Sequence, residues 1–271
     1  MSNTVSRLAV AAVGLPVVLG AAWLGGWWMW LLLAVAVLLA LHELYAMTRQ
    51  LRPLVLAGYL GALAALLGTQ LGGVAWLGLA LLLTLVLGFL FAAIADTSQS
   101  NTIAIGTTVL GVAWIAVGLT HLALVRDVPG QGRQLVFTVL LTVFATDTGA
   151  YVVGRLVGRR KLAPRLSPGK TWEGFLGGTV FGVFVCWISL YQPITDDGFL
   201  SHGQAIALGL VVVVASVIGD LLESMVKRDM GVKDTGRLLG GHGGVLDRID
   251  SLLIASPAAF YVLLAFDAAP G

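Results

Sequence analysis

The sequence predicts an all-α membrane protein, a polytopic bundle of about nine transmembrane helices, on three observations. Hydrophobic residues make up 58% of the 271 residues and charged residues only 11%, and the mean hydropathy of +0.94 is far above that of soluble globular proteins. The apolar stretches are long enough for helices that cross a hydrocarbon core of roughly 30 Å, which takes about 20 residues each. Many of the 35 glycines lie inside these stretches, where small residues let helices approach closely in lipid.

Nine apolar stretches are candidate spans, and they lie at 8–25, 27–47, 54–73, 74–95, 103–125, 134–154, 171–191, 203–223 and 251–267. A cleaved signal peptide could explain the first span, but its leading region has one arginine and no clear A-x-A site follows, so we expect it to be retained. The spans leave no soluble domain, and we treat 1–271 as a single integral membrane domain. Cys186 is alone and lies within a span, so no intramolecular disulfide is possible.

Charge divides the chain into two functional parts. Residues 1–125 are nearly free of intramembrane charge, apart from Glu43 close to a span end, and are expected to be scaffold. The spans and loops of 134–267 hold almost every polar group that needs an explanation. We therefore expect the active site in this second part.

Basic residues indicate the orientation of the spans. With nine spans and a cytoplasmic N-terminus, fourteen of the sixteen lysines and arginines lie in cytoplasmic segments, and Arg126 and Arg133 lie outside. This bias follows the positive-inside rule. We therefore expect both charge-rich loops, 155–170 and 224–250, to face the cytoplasm, where nucleotides are, and the C-terminus to lie outside.

The first polar cluster reads TDTGAYVVGR, from Thr146 to Arg155. On a helix, Asp147, Tyr151 and Arg155 are one turn apart and share a face. An ionised carboxylate within an apolar span is costly unless it is paired or coordinated. Asp147 either locks helices together through Tyr151 or Arg155, or belongs to an active site.

The second cluster reads SPGKTWEG and begins at Ser167. Its Gly-Lys-Thr run is similar to a P-loop, but the first glycine of that motif would fall at Pro164 and no strand precedes it. We expect Ser167 to open a helix whose free N–H groups could bind an anion, with Lys170 and Thr171 beside them. The alternative is an ordinary capped helix with a lysine that reaches the membrane interface.

The third cluster combines two helix ends. Asp220, Glu223 and Lys227 follow the i, i+3, i+7 spacing of one helix face, and Asp247 and Asp250 repeat the i, i+3 spacing where the last span begins. Carboxylates presented by two helix ends make a plausible Mg²⁺ site, because Mg²⁺ favours a few carboxylates together with substrate phosphates. A network of salt bridges without a metal ion is the alternative.

The segment from Ser224 to Asp250 reads SMVKRDMGVKDTGRLLGGHGGVLDRID. It resembles the signature of the phosphatidate cytidylyltransferase (CDP-diacylglycerol synthase) family over about 27 residues. The segments 147–151 and 167–174 also resemble motifs of that family, in the right order. One departure is Gly240, where proline is commonest in the family, and this departure concerns the rigidity of the loop.

The resemblance implies a reaction in which CTP and phosphatidic acid give CDP-diacylglycerol and pyrophosphate, with Mg²⁺ as cofactor. It also implies an all-helical membrane bundle with a cytoplasm-facing polar cavity, in a bacterial inner membrane. The expected partners are CTP, phosphatidic acid and the lipid bilayer, without nucleic acid, and a homo-oligomer is left open.

Site residues follow from the clusters and the resemblance together. The expected catalytic residues are Asp220, Lys227, Arg228, Asp247 and Asp250. The expected metal ligands are Asp220, Asp247 and Asp250, with Glu223 and Asp147 as second choices. The expected substrate contacts are Tyr151, Ser167, Lys170, Thr171, Ser224, Lys233, His242, Gly243, Gly244 and Arg248. We expect both Lys227 and Arg228 to lie exposed at the membrane surface.

Two other classes of protein compete with this interpretation. A transporter could use intramembrane Asp147, Asp220 and Glu223 as an ion pathway, but the charges gather at one membrane face and no inverted repeat is evident. A CDP-alcohol phosphotransferase would carry the pattern D-G-x-x-A-R…G…D…D, which is absent from this sequence.

Overall fold

The computed structural model describes residues 3–94, 100–191, 199–236 and 243–269, with side chains described from residue 12 onward. Within these ranges the chain forms nine helices: α1 Asn3–Leu24, α2 Gly26–Met47, α3 Val55–Gly72, α4 Trp76–Ile94, α5 Asn101–Arg126, α6 Gly132–Val157, α7 Trp172–Leu190, α8 His202–Asp229 and α9 Leu246–Ala265. A 3₁₀ turn, Arg49–Leu51, follows α2, and the middle of α5, Val112–Ala116, is π-helical. Two short strands, β1 Lys161–Ala163 and β2 Ser167–Thr171, lie between α6 and α7.

The helices α2 to α9 confirm eight of the nine predicted spans. Each is long and apolar enough to cross a membrane. The ninth predicted span falls on α1. The side chains of α1 are described only from residue 12, and this part, Ala12–Leu24, is a shorter apolar helix. The chain is therefore an integral membrane protein with an all-α polytopic fold.

The prediction that a helix opens at Ser167 is wrong. Ser167–Thr171 is strand β2, which pairs antiparallel with β1, Lys161 opposite Thr171 and Ala163 opposite Ser167. The helix begins at Trp172 instead, and the Thr171 hydroxyl accepts a hydrogen bond from the Gly174 N–H at 3.1 Å. Threonine is a good N-cap because its oxygen satisfies an N–H that has no partner within the helix.

The chain forms two compact units. The first comprises residues 1–123 and 229–249, and the second comprises residues 124–228 and 250–271. In the first unit, Tyr45 of α2 is 3% exposed and donates a hydrogen bond to the Thr108 carbonyl at 3.1 Å. Gly58 of α3 leaves room for the Tyr45 ring, because a methyl group there would overlap it.

Glycines allow α6 and α7 to pack closely in the second unit. A Cβ built on Gly178 would lie 2.7 Å from the Thr146 carbonyl oxygen, and one on Gly174 would lie 2.7 Å from the Ala150 carbonyl oxygen. These distances are too short for a real side chain, so the backbones of α6 and α7 come into contact at the two glycines of α7. The prediction that glycines within the spans serve close helix packing is confirmed here.

Candidate active site

Four acidic residues come together in the second unit, and we call them the carboxylate cluster: Asp147, Asp220, Glu223 and Asp250. Asp147 lies on α6, Asp220 and Glu223 lie on α8, and Asp250 lies in the second turn of α9. Asp250 interacts electrostatically with Asp220 and Asp147, and its side chain also interacts with that of Glu223. The sequence therefore brings carboxylates from three helices into one place.

A glycine on α8 places α8 and α9 side by side at the cluster. A Cβ on Gly219 would lie 2.5 Å from the carbonyl oxygen of Asp250 and 3.2 Å from the Cα of Ser251. Only a residue without a side chain permits this approach. Asp220 follows Gly219 directly, so the contact brings the Asp220 and Asp250 carboxylates together.

Lys170 of β2 supplies a positive charge to the cluster. Its Nζ lies 2.7 Å from Oδ2 of Asp220, and the two side chains are 23% and 30% exposed. Lys170 also interacts electrostatically with Asp147. Because these groups keep access to solvent, an approaching anion or cation could reach them.

The β-hairpin that carries Lys170 is held against the start of α7. The Glu173 carboxylate accepts hydrogen bonds from the backbone N–H groups of Arg159 at 2.9 Å and Arg160 at 3.1 Å. The Trp172 N–H donates to the Arg160 carbonyl at 2.9 Å. Lys170 therefore stands on a backbone that is fixed at both ends of the hairpin.

Lys227 and Arg228 are neighbours on α8, but their environments differ. Lys227 forms a salt bridge with Oε2 of Glu223, with 16% of the lysine side chain and 2% of the glutamate side chain exposed. The prediction that Lys227 is an exposed surface residue is therefore wrong. Arg228 is exposed, and its Nε donates to the Leu166 carbonyl at 3.4 Å.

The cluster holds four carboxylates, of which Asp220 is paired with Lys170 and Glu223 with Lys227. Neighbouring like charges are unfavourable. Oxygen ligands of this kind suit a hard divalent cation such as Mg²⁺, which protein sites hold through one or two carboxylates and substrate phosphates. Among the residues that the structure describes, no three histidine, cysteine or acidic side chains are placed to hold one metal ion by themselves.

Asp147 does not make the helix-locking contact that the sequence left open. The Arg155 guanidinium donates to the Tyr151 hydroxyl at 2.7 Å, whereas Asp147 interacts with Asp220 and Lys170. Tyr151 is 63% exposed. Asp147 therefore belongs with the carboxylate cluster, and a role for Tyr151 in substrate contact stays a prediction.

Asp247 organises the loop before α9, which lies in the first unit. Its Oδ2 accepts hydrogen bonds from the Thr235 N–H at 3.0 Å, the Thr235 hydroxyl at 3.0 Å and the Gly244 N–H at 2.7 Å. Gly243 has a φ of +79°, a conformation that favours glycine. Through Oδ2, Asp247 therefore stabilises the loop. Its role as a metal ligand stays a prediction.

Sequence reasoning missed the contact that Glu43 makes with this loop. The Glu43 carboxylate of α2 accepts hydrogen bonds from the N–H groups of Val245 and Leu246, each at 2.9 Å. It is 5% exposed. The available signal was a lone acidic residue near the end of an otherwise apolar span.

The other predicted substrate contacts are spread over both units. The Ser224 hydroxyl lies 3.4 Å from Oδ1 of Asp220, and Thr171 is 6% exposed as the cap of α7. Ser167 is half-buried at the start of β2, Gly244 is buried, and Lys233 and Arg248 are exposed. His242 lies outside the described residues.

Comparison with known proteins identifies a family for nearly the whole chain and relatives for about half of it. The profile of the cytidylyltransferase family matches residues 5–266. The chain is 47% identical over 134 residues to a phosphatidate cytidylyltransferase of Haemophilus influenzae, covering 49% of this chain and 46% of that protein. It is 38% identical over 159 residues to one of Mycobacterium bovis, covering 59% and 50%, and 39% identical over 159 residues to one of Staphylococcus saprophyticus, covering 57% of each. The chain thus spans about half the length of the curated relatives it matches.

Proposed function

The chain belongs to the cytidylyltransferase family, and we propose that it transfers a cytidylyl group from CTP to phosphatidic acid. The products are CDP-diacylglycerol, a precursor in phospholipid biosynthesis, and pyrophosphate. The names of the relatives support this substrate pair. The structural observation that carries the proposal is the carboxylate cluster with the Lys170 ammonium 2.7 Å from Asp220.

For this reaction the protein must bind both substrates and compensate the negative charge of their phosphates. An oxygen of the lipid phosphate attacks the α-phosphorus of CTP, a new P–O bond forms, and the bond from that phosphorus to the bridging oxygen of pyrophosphate breaks. A phosphate monoester has its second pKa near about 6 and is largely ionised at neutral pH. The substrate is therefore its own nucleophile, and no serine, cysteine or dedicated base is needed.

The basic residues of the site bring two anions together and stabilise the leaving group. Lys170 is the first candidate, since its ammonium lies at the cluster and keeps access to solvent. Arg228 is exposed at the end of α8 and can form two parallel hydrogen bonds to a phosphate. Lys227, Lys233 and Arg248 are the further candidates. Holding the reactants in line is expected to supply much of the rate acceleration.

Asp220 and Asp250 are the residues that would hold Mg²⁺, with Asp147 and Glu223 beside them, and Asp247 is a further candidate. The fit lies in their chemistry, because carboxylates from three helices lie together there and Mg²⁺ prefers oxygen ligands. When bound, Mg²⁺ neutralises charge on the phosphates of the nucleotide. The carboxylates themselves would also keep Lys170 oriented toward the incoming phosphates.

We place the site on the cytoplasmic side, with the N-terminus inside and the C-terminus outside. The support is the distribution of lysine and arginine between the loops. This orientation gives the enzyme access to soluble CTP and to lipid in the cytoplasmic leaflet. A bacterial inner membrane is the location that the bacterial relatives favour.

One assay tests the proposal directly. Protein purified in detergent should release pyrophosphate and form CDP-diacylglycerol when CTP, phosphatidic acid and Mg²⁺ are all present, and neither product when any one is left out. A protein that moves ions or solutes across sealed vesicles and never yields CDP-diacylglycerol would refute the proposal and favour the transporter. Diacylglycerol in place of phosphatidic acid is the matched control, because it lacks the attacking phosphate.

A further inference from the structure

Glu43 connects a scaffold helix to the start of α9. Its two carboxylate oxygens accept separate backbone hydrogen bonds, Oε1 from Val245 N–H and Oε2 from Leu246 N–H, each at 2.9 Å. The Thr235 hydroxyl lies 3.4 Å from Oε2. The first N–H groups of a helix have no partner within it, and the positive end of the helix dipole favours a carboxylate there.

The loop is shaped around this carboxylate. A Cβ built on Gly236 would lie 2.7 Å from Oε1 of Glu43, and a Cβ on Gly244 would overlap Oε2. The backbone therefore approaches Glu43 from two sides, at positions where only glycine fits. A buried carboxylate is tolerated when hydrogen bonds satisfy it, as these do.

Asp247 holds the same loop from within the segment. It accepts hydrogen bonds from Thr235 and Gly244. These two residues also lie against the Glu43 carboxylate. The two carboxylates thus fix residues 235–236 and 243–246 together, and this fixes the point where α9 begins. Arg248 and Asp250 follow in the first turns of that helix.

We propose that Glu43 is a positioning residue for the reaction, which anchors the start of α9 so that Asp247 and Arg248 are correctly presented to the nucleotide phosphates and Mg²⁺. This inference rests on the proposed function. Two acceptor oxygens are essential to the anchor, since the amide of glutamine would keep one acceptor and turn a donor toward the second N–H. Partners that orient groups around a metal ion affect its binding without touching it.

Hydrogen exchange tests the anchor without substrate or metal ion. In detergent-purified protein, Glu43→Gln should speed the exchange of the Val245 and Leu246 amides about tenfold or more, since a lost hydrogen bond permits local opening. Gly236→Ala should act in the same direction, because its methyl group displaces the carboxylate. Tyr45→Phe is the matched control on the same helix, since it removes the hydrogen bond to Thr108 and leaves the loop alone.

Kinetics test the positioning role. The Mg²⁺ concentration for half-maximal activity should rise about tenfold in Glu43→Gln, the scale for loss of a group that orients metal ligands, and added Mg²⁺ should restore part of the rate. Tyr45→Phe should lower thermal stability and leave the Mg²⁺ requirement at the parental value. If Glu43→Gln does not fold, Gly236→Ala carries both measurements.

The outcomes separate the two proposals. Unchanged exchange at Val245 and Leu246 in both variants would overturn the anchor. Faster exchange with a parental Mg²⁺ requirement would overturn the positioning role and leave Glu43 as a purely structural residue. A wild-type protein that gives no CTP-dependent product would refute the proposed function and the positioning role with it, while the exchange measurement would still decide the anchor.

Discussion

Replacing Asp220 with asparagine tests the carboxylate cluster most directly. The substitution keeps the size of the side chain and removes one negative charge from a group of four. It also removes the charge partner of Lys170 at 2.7 Å. If Asp220 holds the metal ion and orients Lys170, turnover should fall by at least about a hundredfold, the scale for losing a main electrostatic contributor.

The effect on stability should be small, because two contributions oppose each other. The Lys170–Asp220 pair keeps 23% and 30% of its side chains exposed, and pairs of this kind contribute about 0–1 kcal/mol. Loss of the Asp220 charge also relieves its repulsion with Asp147 and Asp250. The apparent Tm in detergent should therefore stay within about 4 °C of the parental value, the shift that about 1 kcal/mol produces in a chain of this size.

The assay is CDP-diacylglycerol formation at saturating CTP and phosphatidic acid over a range of Mg²⁺ concentrations. Asp229→Asn is the matched control, since Asp229 lies on the same helix and is exposed, and it should keep parental activity. Asp220→Asn with near-normal turnover at limiting Mg²⁺ would refute the metal assignment. A large fall in Tm with the same loss of activity would instead indicate that Asp220 supports the fold.

Two further predictions concern packing and orientation. Gly178→Ala should destabilise the protein by about 1–3 kcal/mol, as overpacking does, because its methyl group would lie 2.7 Å from a carbonyl oxygen of α6. Gly106 has open space around it, so Gly106→Ala is the control and should not destabilise the protein. Thermal unfolding in detergent compares the two variants. In a Cys186→Ala background, Arg165→Cys should react with a membrane-impermeant thiol reagent only from the cytoplasmic side and Pro129→Cys only from outside, and the reverse pattern would contradict the proposed topology.

The spans could be predicted from the sequence because they depend on a local property. Length and hydropathy decide whether a helix can cross a membrane, and both are properties of a continuous segment. Eight predicted spans accordingly correspond to helices of the structure. The glycines between α6 and α7 were predictable for the same reason, since small residues within spans indicate close packing.

The β-hairpin could not be predicted because it depends on partners outside its own segment. Pro168 and Gly169 are poor strand residues, so local propensity argued against a strand at Ser167–Thr171. The strand forms because it pairs with Lys161–Ala163 and because Glu173 of α7 binds the backbone beside it. Tertiary contacts overrode the local preference.

The sequence grouped the four members of the carboxylate cluster together with Asp247, but it did not show how these residues are arranged. The spacing of Asp220 and Glu223 places them on one helix face, but only the close approach of α8 and α9 at Gly219 brings Asp250 to them. Glu43 was missed because its partner Val245 is 202 residues away in the sequence. One sequence contains no signal for such a contact beyond the rarity of charge in a span.

Lys227 and Arg228 allow a structural role to be separated from a catalytic one. Lys227→Met removes the ammonium that pairs with Glu223, which is 2% exposed, and breaking a buried pair costs about 3–5 kcal/mol. Arg228→Ala should change stability by no more than about 1 kcal/mol, as expected for an exposed charge. A loss of activity in Lys227→Met alone could therefore arise from unfolding.

The double variant Lys227→Met with Glu223→Gln resolves this ambiguity, because it removes both charges of the buried pair. We expect it to recover most of the stability lost in Lys227→Met, since no uncompensated charge remains at that position. If Lys227 contacts a substrate phosphate, kcat/KM for CTP should stay low in the double variant even though its stability has recovered. The value should lie below that of Glu223→Gln alone. Arg228→Ala should likewise lose kcat/KM with a parental Tm. Recovery of activity in step with stability would show that Lys227 serves the fold, and the phosphate contact would then fall to Lys170 and Arg228.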